Sequence, residues 1–275
     1  MTTFAILIQA MGIASNASEH GFAIDTMLEM LFWFMLVLFM GWGSFYAYTL
    51  WRFHHSRHPK ALYAGAASHL PSKLEGGIFV FEIVILLSFA TPLWSYRPDQ
   101  FPTGPDVTHM RAVGEQFLWN FQYAGPDRKF GDRKENLVTA ANPLGLDSTD
   151  PDAADDLTTR NEMHLPVGKP VIVDVMSKDV IHDFCIPNMR SAQDAIPGSV
   201  IPMWFVPVKE GTYDIVCAQL CGSNHSEMRG ELVVESEAKY KKWFADSYNA
   251  IHPKTPMSPS SISALPPSAS FMGTP

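Results

Sequence analysis

No lysine or arginine occurs before Arg52, and only three cysteines, Cys185, Cys217 and Cys221, occur in 275 residues. The first absence removes the basic leader of an ordinary signal peptide. Phe4 to Ala14 is nevertheless apolar, and Ala14-Ser15-Asn16-Ala17 offers small residues where a signal peptidase cuts. A small, odd number of cysteines excludes a complete disulfide framework. No Cys-x-x-Cys-His occurs, so no covalently attached haem is carried. There is no internal repeat. Charge is scarce, at 17% of residues, and from Arg97 onward 16 basic residues stand against 23 acidic ones. That balance argues against nucleic acid and suits a basic partner protein.

The apolar residues concentrate in the first hundred positions. Met27 to Trp51 carries one charge, Glu29, and exceeds the roughly 20 residues a bilayer needs. Arg52, His54, His55, Arg57, His58 and Lys60 follow it. A second apolar run covers about Ile78–Tyr96. With the cations between the runs, the loop at about 52–75 is expected in the cytoplasm and both chain ends outside. Residues 25–97 are therefore expected to form a two-helix membrane hairpin. Residues 1–24 are expected to be a retained exported segment, with a cleaved signal peptide as the alternative. Glu82 lies in the second run. Glu75 lies near its inner end, seven residues earlier and on the same helix face. A carboxylate at membrane depth is a functional candidate; the plainer reading is a protonated or hydrogen-bonded Glu against a partner subunit.

After Arg97 proline, glycine and short β-type runs take over. In Gln116–Gln122 and the residue after it, Phe117, Trp119, Phe121 and Tyr123 recur at period two, the mark of a half-buried strand. Residues 124–160 are an acidic insertion, with Asp147, Asp150, Asp152, Asp155 and Asp156. They lack the regular spacing of a calcium loop, so a solvated loop is expected. Lys169–Met176, Val200–Val208, Gly211–Val216 and Glu231–Glu235 read as strands of a Greek-key sandwich over 98–250. Ala238–Ala250 reads as a surface helix with Tyr240, Trp243, Phe244 and Tyr248. The Pro/Ser-rich tail, 251–275, is expected to be disordered.

One stretch between two strands carries the chemistry: Cys217, Cys221, His225 and Met228, a Cys-x3-Cys-x3-His-x2-Met run. His182, in Val180-Ile181-His182-Asp183-Phe184, adds a second imidazole. A disulfide explains two cysteines outside the cytoplasm but not the histidines and methionine. Structural zinc through Cys217, Cys221, His225 and His182 leaves Met228 unused. Copper uses all five, since thiolate, thioether and imidazole are its natural donors. Cys185 reads as a small buried hydrophobe.

This run resembles the CuA loop of subunit II of haem–copper oxidases. The resemblance extends over the two apolar runs, the aromatic strand, the Asp-Val-Ile-His strand and Asp194-Ala195-Ile196-Pro197-Gly198. It implies a cupredoxin-like sandwich in which Cys217 and Cys221 bridge two coppers. His182 and His225 would bind one copper each, with Met228 and the Gln219 carbonyl as weak ligands. It implies a haem-bearing large subunit and other oxidase subunits as partners, cytochrome c as donor, and a bacterial inner membrane with the copper domain in the periplasm. The family usually has Glu where this chain has Gln219, so a magnesium ion at the subunit boundary would lose that charge. The family's first Trp of the aromatic strand receives electrons; here Phe117 stands there, with Trp119 and Tyr123 as further candidates, and a membrane-bound or tethered cytochrome would fit. His69–Glu75 resembles the start of the family's second helix, which makes Glu75 a candidate for proton uptake. Arg190 and Asp194 resemble the segment facing the catalytic subunit, and Asp194 with Arg229 could shape the route to haem. The same copper subunit in a nitric-oxide reductase, a copper-free quinol-oxidase subunit and a membrane-anchored mononuclear copper module are the alternatives.

Overall fold

The computed structural model describes residues 10, 12–60, 63, 68–92, 94, 101–139, 141–253 and 256–257. The tail expected to be disordered lies outside the described residues beyond position 257, as do most of the first 11 residues and part of the 52–75 loop. The chain divides into two units, Ala23–Asp99 and the remainder.

In the first unit, helix α1 (Gly21–Arg52) is the one described helix long and apolar enough to cross a membrane. The second apolar run forms α2 (Leu70–Ile85), which passes into a π-turn at Leu86–Ala90. Pro71 suits the first turn of α2, where a backbone N–H has no helical acceptor. The two helices meet at Phe34 and Phe81, with ring centroids 4.4 Å apart. Glu75 and Glu82 both lie on the outer surface of α2.

The second unit is a sandwich of two five-stranded sheets. One has the order β3 (Leu157–Arg160), β2 (Leu118–Tyr123), β1 (Thr108–Glu115), β5 (Val171–Ser177), β8 (Ile201–Phe205). The other runs β4 (Glu162–Pro166), β10 (Arg229–Glu235), β9 (Gly211–Cys217), β6 (His182–Ile186), β7 (Ser191–Ala195). The inward residues of alternating strands fill the core. Trp119 and Phe121 of β2 meet Phe184 of β6 edge-on, at 5.1 and 6.1 Å.

The period-two pattern of β2 accounts for only half of its burial. Asn120 and Gln122 on the other face are also buried. The acidic insertion reaches this face at Gln122 through Asp156, correcting the expectation of a solvated loop. Phe130 stacks under the Arg111 guanidinium at 4.2 Å. Asp156, 3% exposed, accepts hydrogen bonds from Gln122 Nε2 (2.7 Å) and the Gly131 N–H (3.0 Å). Burial pushes its carboxyl up from the ordinary 3.8 to about 6, against the pull of those two bonds. Below 3.8 the folded and unfolded chains both hold this proton. Between 3.8 and 6 only the folded chain holds it, so stability falls as pH rises through that window and stays lower above it. Asp156→Asn keeps an oxygen acceptor and removes the charge. It is expected to raise the unfolding midpoint of the sandwich by about 2–4 °C at neutral pH, for roughly 1 kcal/mol. At a pH below the ordinary carboxylate value it should change little; equal shifts at both pH values would show that the charge is not the cause.

Helix α3 (Glu237–Ile251) docks through Tyr240, Phe244 and Tyr248, all buried at helical spacing. Trp243 stacks on His164 at 3.9 Å, and His164 lies between Glu162 (2.7 Å) and Glu235 (2.9 Å). Residues 14–18, just before α1, pack on the sandwich. Ala17 is in its core, and its N–H and C=O bond to Asn188 O and Val208 N at 2.8 Å each. Ser18 Oγ donates to Met189 O (2.8 Å), and the Arg190 guanidinium donates to Ala14 O (2.8 Å).

Candidate metal centre

Strand pairing brings His182 and Cys217 together. Phe184 of β6 pairs with Cys217 of β9, and Ala218 N–H donates to Asp183 O at 3.1 Å. The loop then leaves β9, makes a 3-10 turn at His225–Glu227 and returns as β10, with the Cys217 N–H bonded to Met228 O at 3.2 Å. Cys217 and Met228 are thus tied to each other by the strands.

The donor atoms converge. The Cys217 and Cys221 sulfurs lie 3.7 Å apart, far beyond the roughly 2.05 Å of a disulfide. Cys217 Sγ is 3.9 Å from His182 Nδ1 and 3.2 Å from the Gln219 carbonyl. Cys221 Sγ is 3.6 Å from His225 Nδ1 and 3.8 Å from Met228 Sδ. Each sulfur therefore has its own imidazole and its own weak donor. His182, Cys217 and Cys221 are buried, with their donor atoms within 4.8 Å of one another. A single tetrahedral zinc would not call on the thioether or the carbonyl, whereas this soft donor set fits copper.

Cys221 is held as a thiol in the metal-free chain. Burial, aided by Cys217, pushes Cys221 up to about 11. His182 Nε2 faces Asp179 Oδ1 at 2.8 Å, which leaves Nδ1 for the metal side. Burial works to raise the Asp179 carboxyl, but hydrogen bonds from Gln116 N–H (2.7 Å), His182 and Val180 N–H (2.7 Å) hold it below its usual range. Behind His182 the backbone of Gly114 is so close that a Cβ there would stand 2.9 Å from the imidazole. Neither Asp179 nor Gly114 stands out by residue type; Asp179 could have been suspected only from its three-residue offset to His182.

The other candidates scatter. Phe117 is half-buried and lies against Gly222 of the metal loop. Trp119 is fully buried behind His182, ring centroids 6.0 Å apart. Tyr123 is not brought to the loop: it packs on Trp243 at 5.5 Å, and its hydroxyl accepts from His164 N–H. The shared strand face that predicted all three points into the core, so only the residue at the mouth of the turn nears the surface. Cys185, half-buried on the other face of β6 from Phe184, is outside the donor cluster, and burial pushes its thiol up to about 11. Asp194 pairs with Asp183 across β6 and β7, and Arg229 Nε reaches Ser226 O at 3.4 Å.

A two-sheet sandwich with cysteine sulfur, imidazole and thioether donors gathered where β9 returns as β10 is a cupredoxin-like metal domain. Residues 108–237 match the family described as cytochrome c oxidase subunit II, periplasmic domain. The chain is 36% identical over 229 residues to the alternative cytochrome c oxidase subunit 2 of Bradyrhizobium diazoefficiens, covering 82% of this chain and 80% of that one. It is 30% identical over 212 residues to cytochrome c oxidase subunit 2 of Cereibacter sphaeroides, covering 71% of this chain and 66% of that one. The crystal structure of the periplasmic domain of subunit II of cytochrome oxidase from Bradyrhizobium japonicum superposes with a TM-score of 0.41 at 27% identity, over 55% of this chain and 99% of that one. The chain belongs to the cytochrome c oxidase subunit 2 family and is a subunit of a haem–copper oxidase.

Proposed function

We propose that this subunit receives electrons one at a time from a cytochrome c outside the membrane. It would hold each at two coppers bound by His182, Cys217, Cys221, His225, Met228 and the Gln219 carbonyl, then deliver it to a haem in the large subunit. Oxygen would be reduced to water and protons pumped in that partner. The observation that carries this is the pairing of each sulfur, 3.7 Å from the other, with its own imidazole and weak donor. Copper bound there would supply one-electron chemistry, with the charge spread over two bridged metals. The chain's own part is to fix the donors in advance, so that little has to move as the charge changes. Loading must displace the Cys221 proton, so uptake is favoured as pH rises.

Phe117, over the loop, is the candidate for receiving electrons, and a membrane-bound or tethered cytochrome suits it as donor. A magnesium ion beside Gln219 would meet a neutral amide in place of a carboxylate, while the Gln219 carbonyl stays available to copper. Two membrane spans are supported by the helical path from Leu70 to Ala90, roughly 30 Å long, and by the Phe34–Phe81 contact. Glu75 on the second would admit protons from the cytoplasm. The segment before α1 is retained: cutting after Ala17 would remove a core residue and leave a charged amine on buried Ser18. Its bonds to the sandwich support placing this segment on the same side of the membrane as the metal domain, which we take as the periplasmic side of a bacterial inner membrane.

The test is the metal content and electron paramagnetic resonance spectrum of the full chain purified in detergent and loaded with copper. Two coppers per chain sharing one unpaired electron are expected. One copper, preferential zinc, or a Cys217–Cys221 disulfide in the active complex would overturn the assignment.

A further inference from the structure

We infer that Gln116 is a positioning residue for the metal loop, setting the height of Cys221 over the strands; the inference rests on the copper assignment above. Cys217 and Met228 take their places from the β9–β10 ladder, and His182 from β6. Cys221 lies in the loop between them. Among the described residues no main-chain hydrogen bond from the strands reaches it. What holds its backbone is the Gln116 side chain, whose Nε2 donates to the Cys221 carbonyl at 2.6 Å.

Gln116 is itself fixed from the other side. Its backbone N–H donates to Asp179 Oδ2 at 2.7 Å, and the second oxygen of that carboxylate faces His182 Nε2 at 2.8 Å. One residue of the β1–β2 turn therefore joins two donors that arrive on different segments, His182 and Cys221. The next residue completes the seat. A Cβ on Gly222 would stand 2.8 Å from Gln116 Nε2 and 3.0 Å from the Phe117 ring, and Gly222 has φ +141°, which favours glycine. The loop backbone passes directly beneath the turn, so the Gln116 bond has little slack. Pinning the Cys221 carbonyl restricts where its Cα–Cβ bond can aim, and with it the 3.7 Å sulfur–sulfur separation.

The test uses the full chain in detergent, wild type beside Gln116→Met, which keeps the bulk and removes the N–H donor. Gln116→Asn, one methylene shorter, serves if the first variant does not fold. Loss of an outer partner of a metal ligand typically weakens a site 10- to 100-fold, so copper loss to a chelator is expected to quicken by about 10-fold. The copper hyperfine pattern should change as the two metals become unequal. The unfolding midpoint of the metal-free chain should stay within about 2 °C of wild type, less than 1 kcal/mol. A wild type with two coppers and variants with unchanged hyperfine pattern and release rate would overturn the role of Gln116 alone. A lower metal-free midpoint with unchanged copper behaviour would reduce it to a packing residue. A wild type without paired copper would overturn both the role and the assignment it rests on.

Discussion

Cys221→Ser is expected to abolish the paired copper signal and to cut oxidase turnover of the assembled complex more than about 100-fold, beyond the range seen when only an outer partner is lost. Cys221 is near both weak and strong donors of one half of the cluster, His225 at 3.6 Å and Met228 at 3.8 Å, and also 3.7 Å from Cys217. A serine oxygen is hard and keeps its proton at neutral pH, so it cannot replace a thiolate shared by two soft metals. The remaining donors, His182, Cys217 and the Gln219 carbonyl, could still hold a single ion. The variant should therefore retain about one copper with a mononuclear spectrum, and the metal-free fold should be intact, since serine is nearly the size of cysteine and leaves no large cavity. Metal analysis and electron paramagnetic resonance decide it. Two coppers with one shared unpaired electron in Cys221→Ser would sink the bridging role.

Gly114→Ala tests the other side of the cluster. The added methyl would stand 2.9 Å from His182 Cδ2, 3.1 Å from its Cγ and 3.1 Å from Trp119 Cζ3. Both rings are fully buried, so neither can swing into solvent. His182 is also held at its far nitrogen by Asp179, at 2.8 Å. Relief must come from moving the imidazole or the β1 backbone, at a cost of about 1–3 kcal/mol for overpacking a tight core. Movement of the ring shifts Nδ1 relative to Cys217, and copper affinity is expected to fall by about 10- to 100-fold. Equilibrium competition against a copper chelator measures this, with thermal unfolding of the metal-free chain giving the packing cost separately. A destabilised chain that binds copper as tightly as wild type would show that His182 has room to adjust.

The donor set itself was legible in the chain. Cys217, Cys221, His225 and Met228 sit within a dozen residues, their donor types favour a soft metal, and the family resemblance of the run, more than the donors, pointed to copper. His182 could be named because its strand was recognisable. The first membrane helix followed from length and apolarity, and α3 from its aromatic spacing. The supporting residues were not legible. Gly114, Gln116 and Asp179 are ordinary by composition, and they reach the centre only because β1, the β1–β2 turn and the segment before β6 are brought together by sheet pairing. The acidic insertion misled for the same reason, since nothing in its residues tells that Asp156 ends under β2.

Sequence by itself determined which elements would attract a metal and which segments could not remain in water, because donor softness and hydrophobicity belong to residue types. Tertiary structure alone decided where those donors point and what holds them. Orientation depends on contacts between segments far apart in the chain, and a separation of a few ångströms between two sulfurs is set by hydrogen bonds and close packing that no local pattern encodes.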